Sequence, residues 1–227
     1  MYDAADLARL QTDNWLSRQP EDFRRALFEI VTWRRIQMGF TINPAGADSG
    51  GIWGVASGQV DITSAWSTAE SPIADIYLPG QWAGIGPIFG QPRGADGTTR
   101  VDSLIAYTPL PRLQAMLREH PEWWFCFGQL ALESAFRYGG ATGDLLIGNS
   151  RQRCIAVLLR LGNCRRSDPA APPAIILSHS DLANAANLSR HTAGEVLRDL
   201  DAAGLIELSY RQIVICNPAA LRAIVDG

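Results

Sequence analysis

Apolar positions recur at helical intervals through residues 3–31, at Leu7, Leu10, Leu16, Phe23, Leu27, Phe28 and Ile30, and predict helix on either side of Pro20. From Trp33 the period shortens. The stretch "RRIQMGFTINPAGADSGGIWGVASGQVDIT" and its continuations "IADIYLPGQWAGIGPIF" and "VDSLIAY" set short β-branched or aromatic pieces between Gly, Pro, Asn and Asp, which predicts a small antiparallel barrel or roll over about 33–107. Helical spacing returns with Thr108 as a cap, Pro109 in the first helical position and Leu113, Met116 and Leu117 on one face. From Pro121 a long helix carries Trp123, Trp124, Phe125, Phe127, Leu130, Ala131, Leu132, Ala135 and Phe136, apolar on more than one side. Such a helix must be covered on two faces. One face is expected against the β domain and the other against a second copy across a two-fold axis, the competing arrangement being a helix held between two domains of one chain. A short helical piece and the Pro- and Ala-rich stretch "SDPAAPPA", residues 167–174, read as a linker or exposed loop, lead into a compact C-terminal unit. The expected fold class is α+β, with an N-terminal helix and antiparallel β-roll over 1–107, connecting and dimerising helices over 108–145, and a last domain over 146–227.

The last unit is the most explicit. Ser178 stands three residues before Asp181, a capping box ahead of Leu182, Ala185 and Ala186. Asn187 tolerates a left-handed backbone and can turn the chain. Ser189 caps a second helix whose inner face is Ala193, Val196, Leu197 and Leu200, and Gly204 stops it. Ser189, Arg190, His191 and Thr192 then occupy its first turn, with Glu195 and Arg198 further along. That end offers unpaired N–H groups and a positive dipole to phosphate, and Arg190 can give two parallel hydrogen bonds to guanine in the major groove. "LIELSYRQIVI" alternates as a hairpin, a wing behind the recognition helix. The pattern predicts a winged helix-turn-helix that reads DNA, with a helical pair used only for packing or protein contact as the competing reading.

Composition and charge adjust this picture. With 47% apolar and 19% charged residues the chain reads as an ordinary globular protein. The net charge of −3 argues against a nucleic-acid partner, but it is unevenly spread: residues 1–150 hold 11 Arg against 16 acids, residues 151–227 hold 9 Arg against 7, so the C-terminal third is the part able to approach phosphate. Cys126, Cys154, Cys164 and Cys216 form no C-x-x-C pair and read as reduced, mostly buried thiols, and no metal site is expected. No basic-then-apolar leader or membrane-length apolar run is present, so a cytoplasmic protein without a membrane partner is expected. No Ser/His/Asp or Cys/His constellation can be assembled, so no enzyme is expected.

Over nearly its full length the sequence resembles the Crp/Fnr family of bacterial transcription regulators. "GGIWGVASGQVDI" looks like that family's β-roll segment, "LPGQWAGIGPIF" like its phosphate-binding cassette and "LSHSDLANAANLSRHTAGEVLRDLDAAGLIEL" like its DNA-binding unit. The resemblance implies a homodimer with a cyclic-nucleotide-binding-type roll, a dimerising helix, and recognition helices set into successive major grooves of a palindromic operator. RNA polymerase is a further partner that it leaves open. DNA contacts are expected from Ser178, His179, Ser189, Arg190, His191, Thr192, Glu195 and Arg198. His191 stands where nucleotide-responsive members usually carry glutamate, and Glu195 where they often carry arginine. At the sensory end the implied pocket falls on Gly84, Ile85, Arg93, Gly94 and Tyr138. Ile85 replaces the glutamate that holds the ribose hydroxyl, which would leave that hydroxyl unpaired at a cost of about 1–3 kcal/mol. Arg93 with Gly94 falls at the phosphate-binding Arg-Ser pair or is a solvated loop arginine, and Tyr138 with Gly139 falls at the base-contacting pair. Binding of cyclic AMP in the usual way is therefore not expected. No cofactor is required on this reading, an iron–sulfur centre lacks its N-terminal cysteines, and haem lacks a dedicated ligand among His120, His179 and His191. Trp53, Trp66 and Trp82 line the roll as core or as a ligand box. The alternative function is a ligand-sensing signalling module whose C-terminal unit docks a protein partner.

Overall fold

The computed structural model describes residues 4–12, 14–43, 46, 50–64, 73–166, 168–169 and 171–227. It falls into two compact units, Met1–Ser71 with Tyr77–Phe136, and Pro72–Ile76 with Arg137–Gly227. Trp66 and parts of the 44–49, 65–72 and 167–170 stretches lie outside the described residues.

The first unit opens with α1 (Ala4–Arg9), a 3₁₀ turn over Leu16–Arg18, and α2 (Glu21–Ile30). Asn14 is what separates the helices. Its side-chain amide donates to the carbonyls of Arg9 and Thr12, each at 3.0 Å, and its oxygen accepts from the Leu16 amide at 2.9 Å, so the backbone is satisfied without continuing the helix. Among the described residues eight strands follow along the chain, β5 belonging mostly to the second unit: β1 (Thr32–Ile36), β2 (Thr41–Asn43), β3 (Ile52–Ser57), β4 (Val60–Ser64), β5 (Ile73–Tyr77), β6 (Trp82–Ala83), β7 (Ala95–Thr99) and β8 (Ser103–Thr108). One antiparallel sheet runs β1-β8-β3-β6 and a second runs β2-β7-β4. All six residues of β8 are buried, as are the first five of β3. Gly58 makes the β3–β4 turn at φ 92°, where a Cβ would also strike Ser103. The sheets close on Trp53, Val55, Val60, Ile62, Tyr77, Ile105 and Tyr107.

α3 (Leu110–Glu119) begins after Pro109, which is its cap residue; Thr108 stays in β8, so the expected threonine cap is not made. A 3₁₀ turn over Pro121–Trp123 then leads into α4 (Trp124–Leu145). Its first half is tied to the N-terminal helices by aromatic packing. Trp15, Phe23, Trp123 and Phe127 meet at ring separations of 5.4–5.9 Å, and the Trp15 indole donates to the Cys126 carbonyl at 2.8 Å. The side carrying Phe125, Leu132 and Phe136 is exposed, at 72%, 54% and 58%.

The second unit contains α5 (Ser150–Leu161), β9 (Ala174–Ile176), α6 (His179–Ala185), α7 (Arg190–Ala202), β10 (Ile206–Ser209), β11 (Gln212–Ile215) and α8 (Pro218–Asp226). Its sheet runs β10-β11-β9, antiparallel throughout. Asn149 caps α5, and every residue from Cys154 to Leu161 is buried, so this helix is the core around which the others pack. One buried side is ionic. Arg160 donates to the Asp144 carboxylate at 2.9 Å and to the Ala74 carbonyl, while Arg137 holds Asp75 at 2.6 Å. Each of these charges has a counter-charge, which buried ions require.

Candidate nucleic-acid interface

The α6–turn–α7 geometry follows from three local interactions. Ser178 and Asp181 form the reciprocal capping box: the Asp181 amide donates to Ser178 Oγ at 3.1 Å and the Ser178 amide donates to Asp181 Oδ2 at 3.2 Å. Asn187 takes φ 50° and the Leu188 amide returns to the Ala183 carbonyl at 2.8 Å, so the chain reverses within three residues of α6 ending. Arg153 of α5 pins that turn from beneath, donating to the Ala186 carbonyl at 2.9 Å.

On α7, Ala193, Val196, Leu197 and Leu200 are buried and set the inner face. The opposite side carries His191, Glu195 and Arg198, all exposed, with Arg190 exposed at the first helical position. His191 Nε2 lies 3.2 Å from Glu195 Oε1, one turn on. Ser189 caps the helix, accepting from the Thr192 amide at 3.0 Å, and its hydroxyl also bonds the Thr192 hydroxyl at 2.9 Å. The oxygens of Ser178, Ser189 and Thr192 are thus engaged in shaping helix ends. A Cβ added to Gly194 would lie 3.5 Å from Arg198 Nη1 and 3.8 Å from His179 Nδ1, so these two nitrogenous groups converge over the bare glycine. The first turn holds no acidic residue, whereas Asp199 and Asp201 lie near the far end. Side-chain charge and helix dipole therefore both make the N-terminal end of α7 the electropositive one.

The β10–β11 turn adds two residues that the sequence pattern did not single out. Tyr210 and Arg211 form its tip, between the paired Ser209 and Gln212; Tyr210 is 92% exposed and Arg211 sits at φ 56°. The dipeptide between two alternating strands was the available signal, but neither residue is a usual turn former.

In the roll, Gly84 takes φ 89° and Arg93 packs against it, so that a Cβ there would come within 2.7 Å of Arg93 Nη1. Arg93 is buried and its Nη2 donates to the Gly51 carbonyl at 2.7 Å, with burial holding its pKa below the ordinary arginine value. The reading of Arg93 as a solvated loop residue is thereby corrected. Ile85 precedes the 3₁₀ turn Gly86–Phe89 and packs on the core that contains Trp82. Gly94 is exposed, and Tyr138 lies on α4 in the second unit. Trp53 and Trp82 are each 3% exposed and are core residues. Among the described residues no three His, Cys, Asp or Glu side chains are grouped as metal ligands, and no helix is long and apolar enough to cross a membrane. His120 stacks on Trp123 at 3.9 Å.

In chain order the fold runs from a two-sheet β unit through a long helix to a winged helix-turn-helix of the kind built for reading DNA. The C-terminal unit has that character in sequence as well: residues 152–224 match the family described as a Crp-like helix-turn-helix domain. Three solved structures share the fold. FixK2 of Bradyrhizobium japonicum aligns at TM-score 0.69 and 17% identity, covering 86% of this chain and 96% of its own. The c-di-GMP-responsive global regulator CLP of Xanthomonas campestris aligns at 0.65 and 20%, covering 86% and 99%. A CRP-family transcriptional regulator of Thermus thermophilus aligns at 0.63 and 20%, covering 86% and 97%. No curated protein matches the chain by sequence.

Proposed function

We propose that the chain is a homodimeric, sequence-specific DNA-binding transcription regulator in which α7 enters the major groove and the β10–β11 tip meets the flanking backbone. The observation that carries this reading is the first turn of α7. It is capped, free of acids, and exposes Arg190 and His191, with Arg198 exposed further along the same helix. Such an end offers hydrogen-bond donors and positive potential to phosphate while Arg190 reaches a guanine edge. The exposed apolar side of α4 supports pairing of two chains, which would place two α7 helices on half-sites about 34 Å apart.

The roll supports an effector other than cyclic AMP, or none. Ile85 offers no acceptor to a ribose hydroxyl, and the Arg93 guanidinium is turned to the Gly51 carbonyl. A c-di-GMP response, as the Xanthomonas campestris regulator has, is one chemistry to include among candidate effectors.

One titration experiment tests the reading. Duplexes enriched from a random pool by the full chain are titrated by fluorescence anisotropy across salt concentrations, with and without cyclic AMP. Several phosphate contacts imply an affinity loss of about 10³-fold or more between roughly 50 and 200 mM salt. Arg190→Ala is expected to cost about 1–3 kcal/mol at one base pair of each half-site, and cyclic AMP is expected to leave the isotherm unchanged. A salt-independent, sequence-blind isotherm would instead favour a module that docks protein.

A further inference from the structure

We propose that Glu195 is a base-reading residue that selects cytosine, with His191 as its positioning partner; this inference rests on the DNA-binding reading above. The outward side of α7 is set by subtraction. Ala193, Val196, Leu197 and Leu200 point into the core, and at 3.6 residues per turn the direction opposite to them belongs to His191, Glu195 and Arg198. Glu195 is the middle one of the three. A helix laid in a groove with its inner face toward its own domain therefore presents a carboxylate to the floor.

A carboxylate in that place has few good partners. It can only accept hydrogen bonds, and most atoms on the major-groove floor are acceptors too: guanine N7 and O6, adenine N7 and thymine O4. The donors are the exocyclic amines of cytosine and adenine. Adenine N6 lies between two acceptors, its own N7 and the partner thymine's O4, whereas cytosine N4 has an acceptor on one side only. The carboxylate therefore favours a C·G pair with cytosine on the strand it faces. The His191 ring, 3.2 Å from Glu195 Oε1, fixes the carboxylate and places a nitrogen beside it. Phosphates on either side repel the Glu195 carboxylate, which the Arg198 charge three residues on offsets only in part, so the residue weakens indiscriminate binding while rewarding the matching base.

The five-residue step from Arg190 to Glu195 is about 7.5 Å along the helix. The cytosine is thus expected about two to three base pairs from the guanine that Arg190 reads, taking the 3.4 Å rise per base of one strand.

The test compares consensus half-sites selected from random duplexes by the full chain and by Glu195→Gln and Glu195→Ala, followed by titration of each against duplexes differing only at the assigned position. Glu195 is exposed and caps nothing, so the variants are expected to fold, which circular dichroism checks. The wild type is expected to prefer C over the other bases there by about 5- to 150-fold. Glutamine pairs bidentately with adenine, so Glu195→Gln is expected to move the preference from C to A. Glu195→Ala is expected to erase the preference while raising affinity for unselected DNA, a gain that a merely structural residue would not give. Identical consensus sites for all three proteins would overturn the cytosine assignment and leave the DNA-binding reading standing. Failure of the wild type to enrich any sequence would overturn both.

Discussion

At the scale of single residues, the second unit holds two thiols that behave as apolar groups. Cys154 and Cys164 are 1% and 0% exposed, and burial pushes both up from 9.0 to about 12, more than the neighbouring arginines pull them down. The thiolate is the reactive form, so neither should react at ordinary pH while the unit is folded. Iodoacetamide at pH 8 is expected to leave both unmodified in the native protein and to label both after denaturation, read by mass spectrometry. The same shift gives a pH dependence of defined sign. Below pH 9 each thiol is protonated in both states and contributes no slope. Between 9 and about 12 the unfolded chain releases protons that the native one keeps, so stability falls as pH rises. Each thiol contributes up to about 1.4 kcal/mol per pH unit. Denaturant titrations should show a shallower alkaline loss for the C154A/C164A protein; an equal loss would place its cause elsewhere.

At the scale of elements, what was legible in the sequence was whatever local chemistry dictates. The Ser178–Asp181 box, the Asn187 turn, the Ser189 cap and the buried Ala193–Leu200 stripe all form as their residue types require. The less legible elements owe their shape to partners distant in sequence. β9 sits at the end of the "SDPAAPPA" stretch and is a strand only because Ala174, Ile175 and Ile176 pair with Val214, Ile213 and Gln212. α5 is buried on every side from Cys154 to Leu161, so it lacks the polar stripe by which periodicity marks a helix. α1 and α2 are separated by hydrogen bonds to the Asn14 side chain, which composition alone does not announce. At the candidate site, Arg190, His191, Glu195 and Arg198 emerge on the outward side as spacing predicts. The Tyr210–Arg211 tip was missed because its left-handed residue is an arginine rather than glycine or asparagine. The capping box also separates stability from DNA contact. Ser178→Ala removes the acceptor for the Asp181 amide and is expected to cost about 1 kcal/mol. Ser178→Asp keeps a cap and should restore most of that stability, yet it adds a negative charge at the start of α6 and should weaken DNA binding. A melting curve and a DNA titration on both variants check the split; equal DNA affinity for wild type and Ser178→Asp would place that helix end away from phosphate.

At the scale of the whole molecule, the decisive question is what covers the outer side of α4. Phe125 and Leu132 are seven residues apart and Phe136 follows four later, the spacing of a seam between two helices, with Gly128, Ala135 and Gly139 along the same side. A Cβ placed on Gly128 or Gly139 would meet nothing within 4 Å, so the small residues are not explained by contacts inside the chain. Each interior glycine weakens a helix by about 1 kcal/mol relative to alanine. That cost is offset if a partner helix approaches closely enough to bury the large side chains, at roughly 1.5–3 kcal/mol for each Phe or Leu covered. A second copy is the partner that suits the proposed function, since two α7 helices on one duplex bind far more tightly than either alone. Light scattering at micromolar concentration is therefore expected to give twice the 24.7 kDa chain mass. Leu132→Arg would place like charges opposite one another at the seam and should return the mass to a single chain, with DNA affinity falling at least tenfold while the secondary structure of each unit persists. A wild-type protein that is monomeric under these conditions, or a variant that dimerises and binds DNA as before, would move the interface away from α4.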